Sequence, residues 1–305
     1  GNGISGLGNE AVTLTDTTVA ASDLIDLYTI ASTTGTTGTI DASNVHTITG
    51  SVANANTVYA QTSTFTGLGN ENITISGSGI TQAVGALNTL NGNTTGNIDA
   101  TEVTTLTGTI AAVNTVYAAS ASSGDGISEL GNEAVTLSDT DGVTVATLNT
   151  LNSNTTGTIN AGTITAISGA ITALNTAYAS SEISGLGGET VTISDTGSVA
   201  ATALTTLATA NSSGTLAASS VSTITGTADQ IIAAYASGVV DSGLGDEAIT
   251  VTGNVSVAQA RSLNALTTGV VTGSITSGTT ISAMLDADTG ITESAGSNAY
   301  TITVA

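Results

Sequence analysis

One segment recurs along the chain at a nearly constant interval, and this repetition constrains the fold more than any other feature. Its second copy reads GLGNENITIS from Gly67 to Ser76, and the leucines of successive copies lie 61, 62, 56 and 58 residues apart. Each copy combines a glycine-rich turn, a glutamate and a short run alternating apolar residues with Thr or Ser, which is typical of a strand with one buried face. A period of this size indicates a repeat architecture. The copies begin at Gly6, Gly67, Glu129, Gly185 and Gly243.

The first repeat shows what lies between two copies. The alternation in Val12–Asp16 predicts a strand, and the apolar residues from Val19 to Tyr28 fall at helical spacing. Thr39–Ala42 predicts a second, shorter strand. Residues 45–59, interrupted by Gly50, predict two short helices. Each repeat is therefore predicted to form two coils, each made of one strand and a helical return.

The same pattern along the chain predicts an α/β fold: a parallel-stranded solenoid of strand–helix coils resembling leucine-rich repeats. The alternative is an all-β solenoid, which the threonine content favours because Thr is a poor helix former. The chain is predicted to be a single solenoid over 1–305 with five repeats, at 1–66, 67–128, 129–184, 185–242 and 243–305. Strands are predicted to start near Val12, Thr39, Ile73, Asn97, Val135, Thr158, Val191, Thr215, Ile249, Val270 and Tyr300.

The charge balance excludes several classes of partner. The chain has 23 acidic residues against one basic residue, and its formal net charge is −22. Such a surface repels nucleic acid and anionic lipid and attracts divalent cations. No apolar run approaches the roughly 18 residues that a membrane span requires, so membrane insertion is not expected. Cysteine is absent, which excludes disulfides and thiolate metal sites.

The recurring acids are the candidate site residues. Each glutamate follows a Gly-X turn just before a strand, and several strands end in an aspartate. Calcium takes six to eight oxygen ligands, and these carboxylates together with loop carbonyls predict a calcium site. The alternative is that each glutamate accepts hydrogen bonds from turn amides, and that each aspartate caps the helix that follows it. The candidate calcium ligands are Glu10, Glu71, Glu133, Glu189, Glu247, Asp16, Asp139 and Asp195.

No catalytic constellation is recognisable, and the chain is predicted not to be an enzyme. Carboxylate pairs for acid–base work form one special site, whereas these acids recur along the whole chain. A second repeated feature is a Thr-x-Thr array on the outward face of the strands, which resembles the ice-binding face of some antifreeze solenoids. Asp41 and Asp99 interrupt this array in alternate coils. Ice binding is therefore only a further alternative.

The strand phrase VTLTDT and the segment from Val257 to Thr272 resemble tandem repeats in very large cell-surface, adhesin-like proteins of marine bacteria and cyanobacteria. The resemblance implies an extracellular structural or adhesive role and supplies no catalytic residues. We therefore expect a non-enzymatic structural repeat protein at the cell surface, in a layer, filament or adhesin. The alternative function is a calcium- or glycan-binding surface module. The repeat pattern continues to both ends of the sequence, and this predicts head-to-tail self-association or continuation in a longer chain.

Overall fold

The computed structural model describes residues 11–33, 38–120, 126–236, 238–275, 282 and 298–302. In this part of the chain, short strands alternate with helices from β1 to β22, and every strand pair is parallel. The α/β class predicted from the sequence is thus confirmed. The helices are α1 Ala21–Thr33, α2 Val52–Tyr59, α3 Val84–Asn93, α4 Ile110–Ser120, α5 Val145–Asn154, α6 Ile171–Ala179, α7 Ala201–Ala210, α8 Ala228–Ala234 and α9 Val257–Asn264.

The strands are mostly two to six residues long, and β20 is the longest at eight. They are β1 Val12–Thr13, β2 Thr18–Ala20, β3 Ile40–Asp41, β4 Thr47–Gly50, β5 Phe65–Thr66, β6 Asn72–Ile75, β7 Ile80–Ala83, β8 Asn97–Asp99, β9 Val103–Gly108, β10 Gly126–Ser128, β11 Ala134–Leu137, β12 Val143–Thr144, β13 Ile159–Asn160, β14 Ala166–Gly169, β15 Ile183–Ser184, β16 Thr190–Ile193, β17 Ser198–Ala200, β18 Thr215–Ala217, β19 Thr223–Gly226, β20 Ala248–Val255, β21 Val271–Ile275 and β22 Ala299–Ile302.

The chain divides into two compact units. The first unit comprises residues 1–139 and 150–160, and the second comprises 140–149 and 161–305. In the first unit the strands pair in the orders β1-β3-β5, β2-β4-β6-β8-β10 and β7-β9-β11-β13. In the second unit the orders are β12-β14-β16-β18 and β17-β19-β20-β21-β22. Because partners are parallel and lie about 25 residues apart, each coil of the chain places its strands beside those of the previous coil.

The core of each unit is built from aliphatic rows. Ile48, Ile73 and Ile98 are register partners in successive strands, and all three are essentially inaccessible to solvent. The helices add a second layer, as in α4, where Ile110, Val113 and the following valine and tyrosine are buried at three- and four-residue spacing. Such burial contributes about 1.5–3 kcal/mol for each large aliphatic side chain.

Asparagines also tie neighbouring helices together. In α2, α3, α5 and α6, an asparagine that directly follows a buried aliphatic residue makes the same contact. Its Nδ2 donates to a backbone carbonyl of the next helix along the unit, at 2.8–3.1 Å. These hydrogen bonds recur at the same place, so successive helices are held in one register. The donor–acceptor pairs are Asn56–Ala86, Asn88–Ala112, Asn149–Ala173 and Asn175–Ala203.

All eleven predicted strand starts lie within one residue of an observed strand start. Of the two short helices predicted over residues 45–59, the second is confirmed as Val52–Tyr59. The first was wrong, because Thr47–Gly50 forms β4. The same holds at β9, β14 and β19, so a coil carries a further strand directly before its helix. Residues 286–299, where the repeat pattern is lost and the sequence predicts a loop, lie almost wholly outside the described residues.

Candidate functional site

The recurring glutamates are the most buried charged residues described. Glu71 is fully inaccessible, and Glu133, Glu189 and Glu247 expose 1 %, 2 % and 3 % of their surface. Each immediately precedes a strand, respectively β6, β11, β16 and β20. A buried carboxylate needs compensating hydrogen bonds to offset its lost hydration. Glu10, the first member of the series, lies outside the described residues.

A tyrosine at the end of the preceding helix supplies one of these hydrogen bonds in every described repeat. The hydroxyl donates to a carboxylate oxygen at 2.7 Å in Tyr59–Glu71, 3.1 Å in Tyr117–Glu133 and 2.7 Å in Tyr178–Glu189. Tyr235 and Glu247 form the fourth pair. We call each pair, with its glycine and the Thr or Asn described below, a tyrosine–glutamate clamp.

The glycine two residues before each glutamate supplies a backbone donor. The N–H groups of Gly69, Gly131, Gly187 and Gly245 lie 2.8–3.2 Å from the carboxylate oxygens. These glycines have φ near +130°, a left-handed backbone conformation that side chains disfavour. The Gly-x-Glu spacing therefore folds the turn back onto its own carboxylate. The alternative in which the glutamates accept hydrogen bonds from turn amides is confirmed for these four.

The next coil closes the clamp from the other side. The hydroxyls of Thr94, Thr155 and Thr267 donate to the backbone carbonyls of Glu71, Glu133 and Glu247 at 2.6–3.0 Å. Asn211 does the same for Glu189 through its Nδ2 at 2.9 Å. Two residues beyond each of the three threonines, a glycine N–H donates to the same hydroxyl. The clamp thus connects a helix end, a strand start and the turn of the following coil.

The close approach of these coils requires glycine. A Cβ at Gly96 would overlap the carbonyl oxygen of Glu71, and the same overlap arises at Gly157 with Glu133. Gly214 and Gly269 lie equally close to the remaining two glutamates. The backbone contact recurs in all four clamps, so at each clamp the next coil approaches the glutamate backbone equally closely.

Burial is the largest effect on the clamp tyrosines. It raises the pKa of Tyr59, Tyr178 and Tyr235 well above its usual range, and the hydrogen bond to the neighbouring glutamate raises the pKa further. Burial likewise raises the pKa of Tyr117. The four phenols therefore stay protonated and act as donors across the physiological range of pH.

Two of the candidate aspartates cap helices, but not the helices predicted. An Oδ2 of Asp139 accepts from the N–H of Ile110 at 2.8 Å, and Asp195 accepts from Ile171 at 2.7 Å. Both acceptors thus serve the helix of the preceding coil, whereas the sequence predicted that each would cap the helix that follows it. The reason is that parallel stacking places each strand end beside the previous helix start. Asp16 is exposed.

The structure does not bring the predicted calcium ligands together. Among the described residues, no three His, Asp or Glu side chains are close enough to hold a metal ion. Four of the candidate carboxylates are instead engaged with Tyr and Gly donors in the clamps, namely those of Glu71, Glu133, Glu189 and Glu247. Calcium binding stays a prediction, to which the geometry adds no support.

The outward threonines form short polar rows that are interrupted. Thr225, Thr250 and Thr272 are register partners in the second unit, but alanines stand at both ends of the row. In the first unit Thr74 pairs with Asp99, as the sequence predicted. The longest run of outward threonines in these sheets is therefore three strands.

The tyrosine partners were not identified as partners of the glutamates from the sequence. They precede the glutamates by 12, 16, 11 and 12 residues, a recurrence that the sequence shows. No local rule of strand or helix periodicity connects residues at such separations. The threonines of the next coil, 20–23 residues on, are missed for the same reason.

Comparisons with protein-family models, curated proteins and solved structures gave no match. Within the described residues, none of the helices has the length and apolar character needed to cross a membrane.

Proposed function

We propose that this chain is a non-enzymatic structural repeat protein in which strand–helix coils stack as a solenoid similar to leucine-rich repeats. Its role is to form part of an extracellular cell-surface layer, filament or adhesin. The observation that carries the proposal is the tyrosine–glutamate clamp, which buries the same carboxylate in four successive repeats and connects each to the next coil.

Repetition favours a structural role over a catalytic one. An acid or base in catalysis must reach substrate, and its environment is tuned at a single site. The clamp carboxylates are almost inaccessible, and their donors are a tyrosine and a glycine of the protein itself. An arrangement of this kind stabilises coil stacking wherever it occurs, which is what a scaffold of repeated coils requires.

The acidic composition supports an assembly in which copies do not associate side by side. A formal charge of −22 repels neighbouring copies side by side. Salt limits the range of this repulsion to a Debye length of about 8 Å at physiological ionic strength. Such an assembly would gain its length from head-to-tail association of the coils or from continuation of the coils in a longer chain.

Location and assembly can be tested together. Antibodies against the chain, coupled to gold, would be applied to thin sections of the source cells and to material shed into the medium. We expect label on surface layers or filaments and little in the cytoplasm. Predominantly cytoplasmic label, or a hydrolytic activity that co-purifies with the folded chain and is lost with Glu133→Gln, would contradict the proposal.

Calcium distinguishes the scaffold from the alternative of a calcium-binding module. The melting temperature would be measured with calcium and with magnesium at matched ionic strength. Because screening of the 23 acids depends on ionic strength and valence, we expect the two cations to raise the melting temperature equally. A rise specific to calcium, reversed by a chelator, would favour the calcium-binding alternative.

A further inference from the structure

A cavity of about 300 Å³ opens in the first unit, where the ends of α2 and α3 meet the loop before the second glycine-rich turn. Tyr59, Phe65 and Leu68 provide its apolar surface, and Thr62 and Asn93 provide polar groups. Gly92 in the last turn of α3 also lines the cavity. Its volume is at the lower end of the range for small-molecule sites.

The cavity reflects substitutions particular to this repeat. Gly92 stands where the corresponding turns of α5 and α7 carry Ser153 and Thr209. Phe65, the only phenylalanine of the chain, stands where the equivalent short strands carry Ile127 and Ile183. Gly92 is exposed, and a Cβ built on it meets no atom within 4 Å, so a larger residue can be accommodated there. The repeat thus combines a missing side chain with an additional aromatic ring.

The clamp beside the cavity also differs from the other three. Tyr59, which lines the cavity, donates to Oε2 of Glu71, but no donor among the described residues reaches the buried Oε1. In the other clamps the glycine N–H lies within hydrogen-bonding distance of both carboxylate oxygens. A buried acceptor without a donor is costly.

We propose that this cavity binds a single neutral sugar ring. The apolar part of the lining fits the apolar face of a sugar. The Oδ1 of Asn93, whose Nδ2 donates to Asn56 Oδ1 at 3.1 Å, and the hydroxyl of Thr62 can hydrogen-bond the sugar's hydroxyl groups. The net charge of −22 disfavours sugars that carry carboxylate, sulfate or phosphate. The volume admits one ring rather than an extended chain. This activity goes beyond the structural role and does not depend on it.

Ligand-observed saturation-transfer NMR with the full chain would test the site, using glucose, galactose, mannose and N-acetylglucosamine, with glucuronate and choline as charged probes. At least one neutral sugar is expected to bind with a dissociation constant of about 1 mM, as befits a ligand of this size. Glucuronate is expected to bind at least about tenfold more weakly because of the protein's negative charge.

Gly92→Thr fills the cavity with the residue found at the equivalent position of α7, and it should weaken binding by at least about tenfold. Gly85→Thr is the matched control, because it makes the same change in the same helix at another open, exposed position. It should leave binding unchanged. Phe65→Ile, which installs the residue of β10 and β15, gives a second test that does not depend on how Gly92→Thr folds. Circular dichroism would verify the fold of each variant.

Three results would overturn the proposal. The first is the absence of binding by every neutral sugar at about 50 mM, far above the expected dissociation constant. The second is binding that survives both Gly92→Thr and Phe65→Ile in folded protein. The third is preferential binding of choline or glucuronate, which would assign the cavity to a charged ligand.

Discussion

The hydroxyl of Tyr178 donates a 2.7 Å hydrogen bond to Oε2 of Glu189, which joins the end of α6 to the strand that begins eleven residues later. The same carboxylate also accepts from the N–H of Gly187, while its backbone carbonyl accepts from Asn211 of the next coil. One buried residue therefore holds three segments that are distant in sequence. This relationship recurs at Glu71, Glu133 and Glu247, and the predictions below depend on it.

Alkaline pH should destabilise the protein through the clamp tyrosines. Burial and the adjacent glutamate raise the pKa of Tyr178 above its ordinary value near 10, and burial raises the pKa of Tyr300 to about 12. Because the folded-state pKa is the higher one, this contribution is fully present below pH 10 and is lost as pH rises above it. Each clamp tyrosine should add up to about 1.4 kcal/mol per pH unit to the decline in the free energy of unfolding.

Urea unfolding between pH 8 and pH 11.5 would measure this dependence. Tyr178→Phe should be less stable than the wild type at pH 8 but should show a shallower decline above pH 10. A wild-type stability that stays flat up to pH 11.5 would contradict the buried, donating state assigned to these phenols.

Gly157→Ala should strongly destabilise the first unit. The added Cβ would overlap the carbonyl oxygen of Glu133, which is backbone and cannot move without displacing the coil. We expect a loss of about 2–3 kcal/mol by thermal or urea unfolding. Gly92→Ala is the control, since its Cβ meets open space, and it should stabilise the helix by about 0.5–1 kcal/mol. Equal effects of the two substitutions would be inconsistent with the described contact.

Asp195→Ala should cost about 1 kcal/mol because it removes the acceptor for the N–H of Ile171 at the start of α6. The N-cap residue of α6, Ala170, has no side chain that could replace it. Ala170→Ser in the same background should restore much of the loss through a different N–H of the first turn, as Ser51 accepts from the N–H of Asn54 in α2. If the serine gives no rescue, the loss does not arise from capping. Asp139→Ala should cost less, because Thr109 already accepts from Ala112 at the start of α4.

Thr205→Asn should strengthen the packing of α7 on α8. Asn175 of α6 joins its helix to Ala203, but the equivalent residue of α7 is Thr205, whose hydroxyl bonds to its own helix. An asparagine there is positioned to donate to the carbonyl of Gln230, one residue before the buried Ile231. The expected gain is about 0.5–1 kcal/mol in unfolding free energy. Thr206→Asn, one residue away, serves as the control and should give no gain.

The repeat and the strands were predictable because their evidence is local. The alternation of Val135 and Leu137 with polar residues fixed the buried face of β11, as burial confirms. The strands before the helices were missed because most of them present at most one buried residue, such as Ile48 in β4. Val45 is buried three residues before Ile48, and a three-residue separation between buried residues is also what a helix shows. The two-residue alternation cannot be recognised in a strand so short.

The site was predictable only in part. The Gly-x-Glu spacing left two interpretations, a calcium ligand or a carboxylate that accepts from its turn, and the second contact is present at Glu133. Its partners Tyr117 and Thr155 come from a helix end and from the next coil, so they depend on coil length and stacking depth. Asp195 was predicted as a cap but assigned to the wrong helix for the same reason. Contacts between coils depend on three-dimensional stacking, which periodicity alone does not specify.

The most direct test of the account is a double-mutant cycle on one clamp. Tyr178→Phe, Glu189→Ala and the double variant would be compared with wild type by urea unfolding at pH 7. The same cycle with Glu182→Ala, a partly exposed glutamate bonded to nearby serines, would serve as the control. We predict a coupling of about 1–2 kcal/mol between Tyr178 and Glu189 and none between Tyr178 and Glu182. Coupling near zero for both pairs would contradict the claim that the recurring glutamates act as clamps.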